Sequence, residues 1–287
     1  MQHASPAGAP AAPPSVLSNP VSDTLRIPLA ARAFGDAMFP ALAVNDAAAR
    51  QALRRLGDDG QRWLRDRQSV YGVLARTRAF QDLAQAYLAR EPAGCLVNLG
   101  CGLSDYFQWL DNGQARMVDA DLPEVIALRR EWLGQPGPRR TLAELDLCQP
   151  GWWDRLGLPS GPGQAPVFLM SEGVLMYLQP QAVSAILAEV GERAPAGSVF
   201  AFDAMCWLAA GRARRHPSVR HTRAEFGWGP RRLADLTRPH PRLRMAAARK
   251  VMEGYGFPYS AFGPLFRLVC GVPFYAVYEL HARDGAS

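Results

Sequence analysis

Two glycines and two aspartates stand at positions from which they could bind a nucleotide. Gly100 and Gly102 follow the short apolar run 95–99, and a second apolar run farther along the chain ends in Asp119 and Asp121. Glycines in such a turn let the backbone approach a ligand closely, and a carboxylate after the second strand accepts hydrogen bonds from ribose hydroxyls. The spacing therefore predicts a strand, turn, helix, strand unit that binds a nucleotide-containing ligand.

The residues after Gly102 restrict the kind of nucleotide. No lysine follows at the spacing of a phosphate-binding P-loop, and Asp105 stands where a dinucleotide-binding turn has its third glycine. A carboxylate there would repel a pyrophosphate, so NAD is disfavoured. S-adenosylmethionine carries no phosphate, and its ribose, ammonium group and carboxylate need acceptors and a cation. On these residues alone, S-adenosylmethionine and a different nucleotide both remain open.

Apolar segments that are typical of strands alternate with segments of helical periodicity. Strands are predicted at 95–99, 116–120, 140–145, 166–171, 197–203, 242–248 and 272–281, and helices at 103–111, 123–133, 150–156, 180–194 and 260–269. This alternation predicts an α/β, Rossmann-like fold with a mostly parallel seven-stranded sheet and helices on both faces. The last two strands lie close together, which predicts an antiparallel edge. Ligands of such sheets bind at the carboxyl ends of the strands.

The chain before the first strand has a different character. Residues 1–20 are rich in proline and alanine and are predicted to be a disordered tail, whereas residues 21–92 show helical spacing and predict an N-terminal helical cap. The Rossmann-like core is predicted to span 93–287, with a lid or insertion at about 205–240.

The composition favours a reduced, cytoplasmic protein without a metal site. The five cysteines are scattered, and no His/Cys cluster has zinc spacing. No apolar run reaches the length of about 20 residues that a membrane span needs. The net charge of +6 favours anionic ligands, and nucleic acid is not expected as a partner because the arginines are widely spread.

Six separated motifs, in order, resemble the leucine carboxyl methyltransferase family, in particular its bacterial branch of polyketide O-methyltransferases. The motifs are Ile27-Pro-Leu-Ala-Ala-Arg32-Ala with Asn45-Asp46, Leu74-Ala-Arg76-Thr-Arg78, Val97-Asn-Leu-Gly100-Cys-Gly102-Leu, Val118-Asp119-Ala-Asp121-Leu-Pro-Glu-Val-Ile, Leu145-Asp146-Leu147 and Ser171-Glu172-Gly-Val-Leu-Met-Tyr177-Leu. The resemblance implies a class I fold, S-adenosyl-L-methionine as cofactor and S-adenosyl-L-homocysteine as product. It fades after residue 205.

The resemblance also implies which residues hold the methionine part of the cofactor. Arg76, with Arg32 reaching in from the cap, would pair with the cofactor's carboxylate, since an arginine can hold a carboxylate by two parallel hydrogen bonds. Gly100 and Glu172 would receive the ammonium group. By local sequence alone, Arg76 would be a solvated helix residue and Glu172 could simply cap the next helix.

For the nucleoside part and the methyl group, the resemblance implies a second set of residues. Asp121 would accept the ribose hydroxyls, although Asp119 could also do so because the family's usual Glu-Val-Asp appears here as Asp-Ala-Asp. Asp146 and the backbone at Leu147 would bracket the adenine. Tyr177 would stand near the reacting methyl group.

An arginine-rich segment, 212–244, follows the fifth predicted strand. It could be a solvated insertion, a lid that recognises an acidic substrate, or a site for RNA phosphates, and these alternatives remain open. A carboxylate acceptor would need no general base. A phenol or alcohol would need one, and His216, His221 and Asp203 are the candidates.

We therefore expect an S-adenosylmethionine-dependent O-methyltransferase whose acceptor is a small, acidic metabolite such as a polyketide. Transfer to sulfur or nitrogen, methylation of a protein C-terminal carboxylate, and a non-catalytic cofactor-binding protein are the alternatives. The oligomeric state cannot be read from the residues.

Overall fold

A computed structural model describes residues 25–212 and 225–284. Within them, seven strands form one sheet in the order β3-β2-β1-β4-β5-β7-β6. The strands are β1 (Cys95–Leu99), β2 (Arg116–Asp121), β3 (Arg140–Glu144), β4 (Val167–Ser171), β5 (Val199–Met205), β6 (Leu243–Lys250) and β7 (Tyr275–Ala282).

The sheet is parallel except at one edge. β1 pairs with β2 and β4, β2 with β3, and β4 with β5, all in parallel register. β7 inserts between β5 and β6 and runs antiparallel to both. The central strands β4 and β5 are fully buried along their length, as expected for strands covered on both faces. The predicted Rossmann-like fold with an antiparallel edge is confirmed.

The α-helices in the described ranges are α1 (Arg26–Phe34), α2 (Ala47–Arg55), α3 (Gln61–Leu64), α4 (Arg67–Leu88), α5 (Phe107–Leu110), α6 (Pro123–Leu133), α7 (Trp152–Arg155), α8 (Pro180–Arg193) and α9 (Tyr259–Cys270). Asp46 and Asp66 cap α2 and α4 by accepting backbone hydrogen bonds from Ala49 and Ser69. The helix predicted at 103–111 is shorter, because the glycine turn occupies the residues up to Tyr106.

The helices before β1 pack in two ways. α1 and α2 bury Leu29 and Leu53 in a small cluster together with Leu128 of α6. α4, in contrast, buries Phe80 and Tyr87 in the main core, against residues of β1, β4, β5 and β7. Its C-terminal part is therefore a layer of the sheet domain, while its N-terminal part lies beside the shorter helices.

The predicted disordered tail, 1–20, lies outside the described residues. None of the described helices is long and apolar enough to cross a membrane.

Candidate functional site

One cavity of about 740 Å³ opens at the carboxyl ends of the parallel strands, a size typical of sites for small ligands. Of the residues singled out in the sequence, those that line it are Arg76, Gly100, Asp121, Asp146, Leu147, Glu172 and Tyr177. Arg32, Gly102 and Asp119 are not among its lining residues. His216 and His221 lie outside the described residues.

The glycine turn after β1 leaves room that a side chain would fill. Gly100 has φ +72°, and a Cβ built there would stand 2.4 Å from Cγ2 of Val174. The left-handed backbone and this close approach both require glycine. Gly102 has φ +51° and does not line the cavity. Its backbone N–H donates to Oδ2 of Asp121 at 2.7 Å and so helps to orient that carboxylate.

Asp121, the last residue of β2, presents a carboxylate to the cavity. Its Oδ1 accepts a hydrogen bond from the backbone N–H of Leu122 at 2.8 Å, and its Oδ2 accepts the one from Gly102. Burial raises the pKa of Asp121 above its ordinary value, and these two backbone hydrogen bonds offset part of that rise. Each oxygen keeps a second lone pair, so a ligand hydroxyl can bind there.

Asp119, the alternative carboxylate for the ribose, does not face the cavity. It is fully buried, two residues before Asp121 in β2. Its Oδ2 accepts hydrogen bonds from Arg129 at 3.0 Å and Arg140 at 2.7 Å. Its Oδ1 accepts one from Asn98 at 3.2 Å. These partners satisfy a buried charge, so Asp119 has a structural role and Asp121 is the carboxylate that reaches the cavity.

Asp105, which stands where a dinucleotide-binding turn has its third glycine, points away from the cavity toward Arg140. Its Oδ1 lies 2.8 Å from Nη1 of Arg140, and it does not line the cavity. Its negative charge is therefore paired with Arg140, which also contacts Asp119.

Arg76, on the cavity-facing side of α4, is the centre of a charged network. Its Nε donates to Oε1 of Glu172 at 2.9 Å, and its Nη1 donates to Oδ2 of Asp203 at 3.2 Å and to the hydroxyl of Tyr275 at 2.9 Å. The Tyr275 hydroxyl in turn donates to Oδ2 of Asp203 at 2.5 Å. Arg76 thus joins the ends of β4, β5 and β7, and its Nη2 makes no hydrogen bond to any described residue.

Glu172 is held from three sides at the end of β4. Besides Arg76, it accepts hydrogen bonds from Thr77 at 3.2 Å and, on Oε2, from Tyr106 at 2.6 Å. Burial raises the pKa of Glu172, but Arg76, Arg32 and the Tyr106 hydroxyl outweigh that effect, so the net pKa lies below its ordinary value. Glu172 is therefore ionised at neutral pH, and its carboxylate can receive a cationic ligand group.

The residue after Glu172 is Gly173, and both its backbone conformation and the space around it favour glycine. Its φ is +69°, and a Cβ there would stand 3.0 Å from Nη2 of Arg76. The Gly173 N–H donates to Oδ1 of Asp203 at 2.6 Å. The turn after β4 is therefore fitted around the arginine.

Arg32 does not occupy the position that the resemblance implied. Its Nε donates to Oδ2 of Asp46 at 2.9 Å, and both side chains are almost fully buried. Asp46 is the N-cap of α2, so the pair fixes the start of that helix against α1. Arg32 acts on the cavity through its charge, which helps to lower the pKa of Glu172.

The far wall of the cavity, beyond β2 and β3, is apolar apart from two carboxylates, those of Glu124 and Asp146. Leu122, Leu145 and Leu147 line it, and Asp146 lies between the last two. Oδ1 of Asp146 accepts a hydrogen bond from the backbone N–H of Cys148 at 2.9 Å, which orients the carboxylate at the rim. Leucine side chains can pack on the faces of an adenine ring, and a carboxylate beside them can accept a hydrogen bond from its amino group.

The opposite half of the cavity is lined by aromatic and sulfur-containing side chains. Tyr177 stacks on Phe226, with ring centroids 5.4 Å apart and an interplanar angle of 30°. The remaining described residues of this half are Gln68, Ser69, Gly72, Val73, Met176, Leu178, Met205, Leu208, Ala209, Arg212, Met252, Tyr259, Phe266, Phe274 and Tyr275, with Asp66 at the start of α4. Arg212 is the one arginine of the predicted lid segment among the lining residues of the described part of the chain.

Asp203 cannot be the general base that the sequence suggested. It is fully buried, and both its oxygens accept hydrogen bonds from Arg76, Tyr275 or Gly173. Burial raises its pKa above the ordinary value, and Arg76 offsets part of the rise. Its position is behind Arg76, so it orients that guanidinium and does not reach the cavity.

Sequence reasoning missed Thr77, Tyr106 and Tyr275, which complete the network around Arg76 and Glu172. Thr77 was visible as the middle residue of the Arg-Thr-Arg motif. Tyr106 and Tyr275 had no local signal, because neither stands in one of the six motifs that carry the resemblance. No group of three or more His, Cys, Asp or Glu side chains within residues 25–212 and 225–284 could hold a metal ion.

The fold of this chain matches a known class of proteins, and its sequence matches a known family within that class. A solved structure of a Thermobifida fusca protein, provisionally assigned as a methyltransferase, matches 91% of this chain and 94% of its own, with a TM-score of 0.55 and 15% identity. The shared fold is that of the class I S-adenosylmethionine-dependent methyltransferases. Residues 17–191 match the family described as leucine carboxyl methyltransferase. The chain belongs to this family, and its cofactor is S-adenosylmethionine.

Two relatives are similar over large parts of the chain. The tetracenomycin polyketide synthesis O-methyltransferase TcmP of Streptomyces glaucescens is 29% identical over 225 residues, which cover 78% of this chain and 80% of the relative. The S-adenosyl-L-methionine-dependent methyltransferase dpfgK of Gibberella zeae is 31% identical over 183 residues, which cover 58% of this chain and 59% of the relative.

Proposed function

We propose that this methyltransferase transfers a methyl group to an oxygen atom of a small, acidic and largely apolar acceptor. The observation that carries the proposal is a single cavity with two unlike halves. One half presents Arg76, Glu172 and Asp121, and the other presents aromatic rings with Arg212 among them. Such an arrangement suits a polar cofactor beside a ring-containing anion.

The polar half fits the cofactor group by group. Nη2 of Arg76 would pair with the carboxylate of the cofactor, and Glu172 with the ammonium group. Asp121 would accept the ribose hydroxyls, while Asp146 and the leucines beside it would hold the adenine. Gly100 would let the backbone come close, since a Cβ there has no room.

The cap and the lid segment would complete the enclosure. Leu25, Ile27 and Pro28 line the cavity from the N-terminal side, which supports a cap over the cofactor. Leu208, Ala209 and Arg212 line it after β5, which supports residues 205–212 as part of a cover for the acceptor, while residues 213–224 of the predicted lid lie outside the described residues. Exclusion of water by these walls would strengthen the charge interactions inside.

For methyl transfer, the main task of the protein is to place the oxygen of the acceptor beside the methyl group of the cofactor. The cofactor, when bound, supplies an electrophilic methyl group on a sulfonium. A carboxylate acceptor is already ionised at neutral pH, since carboxylic acids have a pKa of about 4, so no general base is needed. Arg212 would attract the acid, and Tyr177 with Phe226 would hold its apolar part so that an oxygen faces the methyl group.

One of the two relatives supports oxygen as the acceptor atom, because TcmP is a tetracenomycin polyketide synthesis O-methyltransferase. Nitrogen or sulfur acceptors, a protein C-terminal carboxylate and a non-catalytic role are the other outcomes of the test.

The proposal predicts labelled methyl esters from a panel of small molecules. The purified chain is incubated with S-adenosylmethionine that carries a deuterated methyl group and with aromatic acids, phenols, amines, thiols and a peptide that ends in leucine. Mass spectrometry should find the label on aromatic acids, and mild alkali should release it, because esters hydrolyse where ethers and methylamines do not. Label only on amines, thiols or the peptide, or on no compound, would contradict the proposal.

A further inference from the structure

Helix α9 presents large apolar side chains to solvent, and none of its twelve residues is buried. Its exposed apolar residues are three or four positions apart and therefore share one side of the helix. They are Phe262 at 56% exposure, Leu265 at 55%, Leu268 at 82% and Val269 at 75%, and Phe257, just before the helix, is 77% exposed. These five residues form the apolar face of α9. Monomeric proteins seldom expose so many large apolar side chains together, so this face marks an interaction surface.

The opposite side of α9 holds the helix against the domain. Arg267 forms an ion pair with Glu253, and the ring centroid of Tyr259 lies 6.1 Å from that of Tyr255. Tyr259 and Phe266 also line the acceptor half of the cavity. The helix is therefore fixed by its inner side, and its apolar face points outward beside the cavity.

Exposed cations border this face. Arg231 and Arg232 are exposed, and the carbonyl oxygen of Arg231 approaches the turn that follows α9. Lys250 is exposed at the end of β6, three positions before Glu253, which pairs with the helix. Residues 225–250 contain seven arginines and lysines but only two carboxylates. The surroundings of the apolar face are therefore positively charged, and Glu253 is already neutralised by its ion pair.

We propose that the apolar face of α9 and the cations around it bind the surface of an anionic phospholipid bilayer. Apolar side chains at the boundary between headgroups and acyl chains, together with basic residues near anionic lipids, are the two contributions that hold a protein on a membrane. The helix would lie in the plane of the surface, because its twelve residues are fewer than the roughly 20 that a membrane span needs. The inference goes beyond the proposed function and does not depend on which atom is methylated.

A second copy of the chain, or another protein, fits this surface less well. Two copies joined through α9 would bring Arg231 and Arg232 of both copies toward one another, and like charges across an interface oppose association. A specific protein interface also contains about ten hydrogen bonds. The five side chains of the apolar face have no hydrogen-bonding group, and acyl chains require none.

Attachment through α9 has a consequence for the acceptor. Tyr259 and Phe266 line the cavity from the inner side of the helix whose outer side would contact the lipids. The acceptor half would then lie about 10 Å from the bilayer surface, since this is the diameter of a helix with its side chains. An apolar acceptor dissolved in the bilayer could enter the cavity from there. This consequence, unlike the binding itself, rests on the proposed function.

Co-sedimentation of the full chain with lipid vesicles tests the proposal. One set of vesicles contains phosphatidylcholine alone, and the other contains equal amounts of phosphatidylcholine and phosphatidylglycerol. Wild type should bind the mixed vesicles about tenfold or more tightly than the neutral ones, because basic residues are attracted to the anionic headgroups. High salt should weaken this binding, since it screens the charges.

Two double variants separate the apolar and the charged contributions. Leu268→Ser with Val269→Ser should weaken binding to the mixed vesicles by about tenfold or more, because apolar surface no longer enters the bilayer. Both side chains are exposed, so the melting temperature and the affinity for S-adenosylhomocysteine should not fall. Arg231→Gln with Arg232→Gln should also weaken binding to the mixed vesicles by about tenfold, and should change binding to the neutral ones little.

Arg54→Gln with Arg55→Gln is the matched control for the charge. These arginines are exposed on α2, which packs against α6 at the opposite edge of the sheet. The control removes the same charge from a surface that would face away from the bilayer. Its binding to the mixed vesicles should change by less than about twofold.

Three vesicle results would overturn the inference: wild type does not bind the mixed vesicles, the Leu268 and Val269 double variant binds them as tightly as wild type, or the control loses as much affinity as the Arg231 and Arg232 double variant. Analytical ultracentrifugation adds a fourth. A wild-type dimer that the Leu268 and Val269 double variant dissociates would assign the apolar face to a second copy. Vesicle binding requires no methyl transfer, so failure of the proposed function would leave these results unchanged.

Discussion

Arg76→Ala is expected to lower both the stability of the protein and its affinity for S-adenosylhomocysteine. Glu172 and Asp203 face the guanidinium, with side chains that are 6% and 0% exposed. Without it, two buried carboxylates lose their cation, and removal of one partner of a buried pair costs about 3–5 kcal/mol of unfolding free energy. The cofactor's carboxylate loses its partner at the same time. Chemical denaturation measures the first loss, and calorimetry on the folded fraction measures the second.

Arg242→Ala is the matched control for this prediction. Arg242 donates hydrogen bonds to the carbonyls of Gly191, Glu192, Ala194 and Arg283, at the end of the sheet away from the cavity. Its loss should also destabilise the protein, because the part-buried carbonyls of Gly191 and Ala194 lose their donor. It should leave the affinity for S-adenosylhomocysteine unchanged. Equal affinities for the Arg76 and Arg242 variants would show that Arg76 is structural only.

Glu172→Gln is expected to weaken cofactor binding with little change in stability. The amide oxygen can accept from Arg76 and Thr77, and the new NH₂ can donate to the Tyr106 hydroxyl, which accepts as well as donates. The negative charge beside the proposed ammonium site is lost. Hydrogen bonds to charged groups contribute about 1.5–3 kcal/mol, so the dissociation constant of S-adenosylhomocysteine should rise by about 10- to 150-fold.

Glu144→Gln removes the same charge from the end of β3. Glu144 is exposed, pairs with Arg130 on the surface at 2.8 Å and does not line the cavity. Cofactor affinity in this variant should match wild type. If the two glutamine variants bind S-adenosylhomocysteine equally well, Glu172 has no part in the site.

The central strands β1, β4 and β5 could be predicted from the sequence because each is a short, mainly apolar run bounded by turn residues, whereas β3 and β6 carry several charged residues. The glycine turn could also be predicted, since Gly100 lies directly after β1. What local sequence could not decide was how far a strand extends. β2 was expected to end at residue 120, but it continues to Asp121. The added residue, Asp121, is the carboxylate that lines the cavity, whereas Asp119 is buried within the strand.

The partners of the arginines were beyond sequence reasoning for a related physical reason. Arg76 and Arg32 both lie on helices of the N-terminal half, with the same side-chain chemistry. Arg32 meets Asp46, 14 positions away, whereas Arg76 meets Glu172 and Asp203, 96 and 127 positions away. Such pairings depend on how α1 packs against α2 and on how α4 packs on the sheet, which no local pattern records.

The most direct test of the account is a calorimetric titration of the wild-type chain with S-adenosylhomocysteine, alongside an identical titration with NAD. We expect S-adenosylhomocysteine to bind one site with micromolar affinity and NAD to give no heat of binding, because the cavity offers Arg76, Glu172 and Asp121 to the groups of the former. Binding of NAD in place of S-adenosylhomocysteine, or binding of neither, would contradict the account.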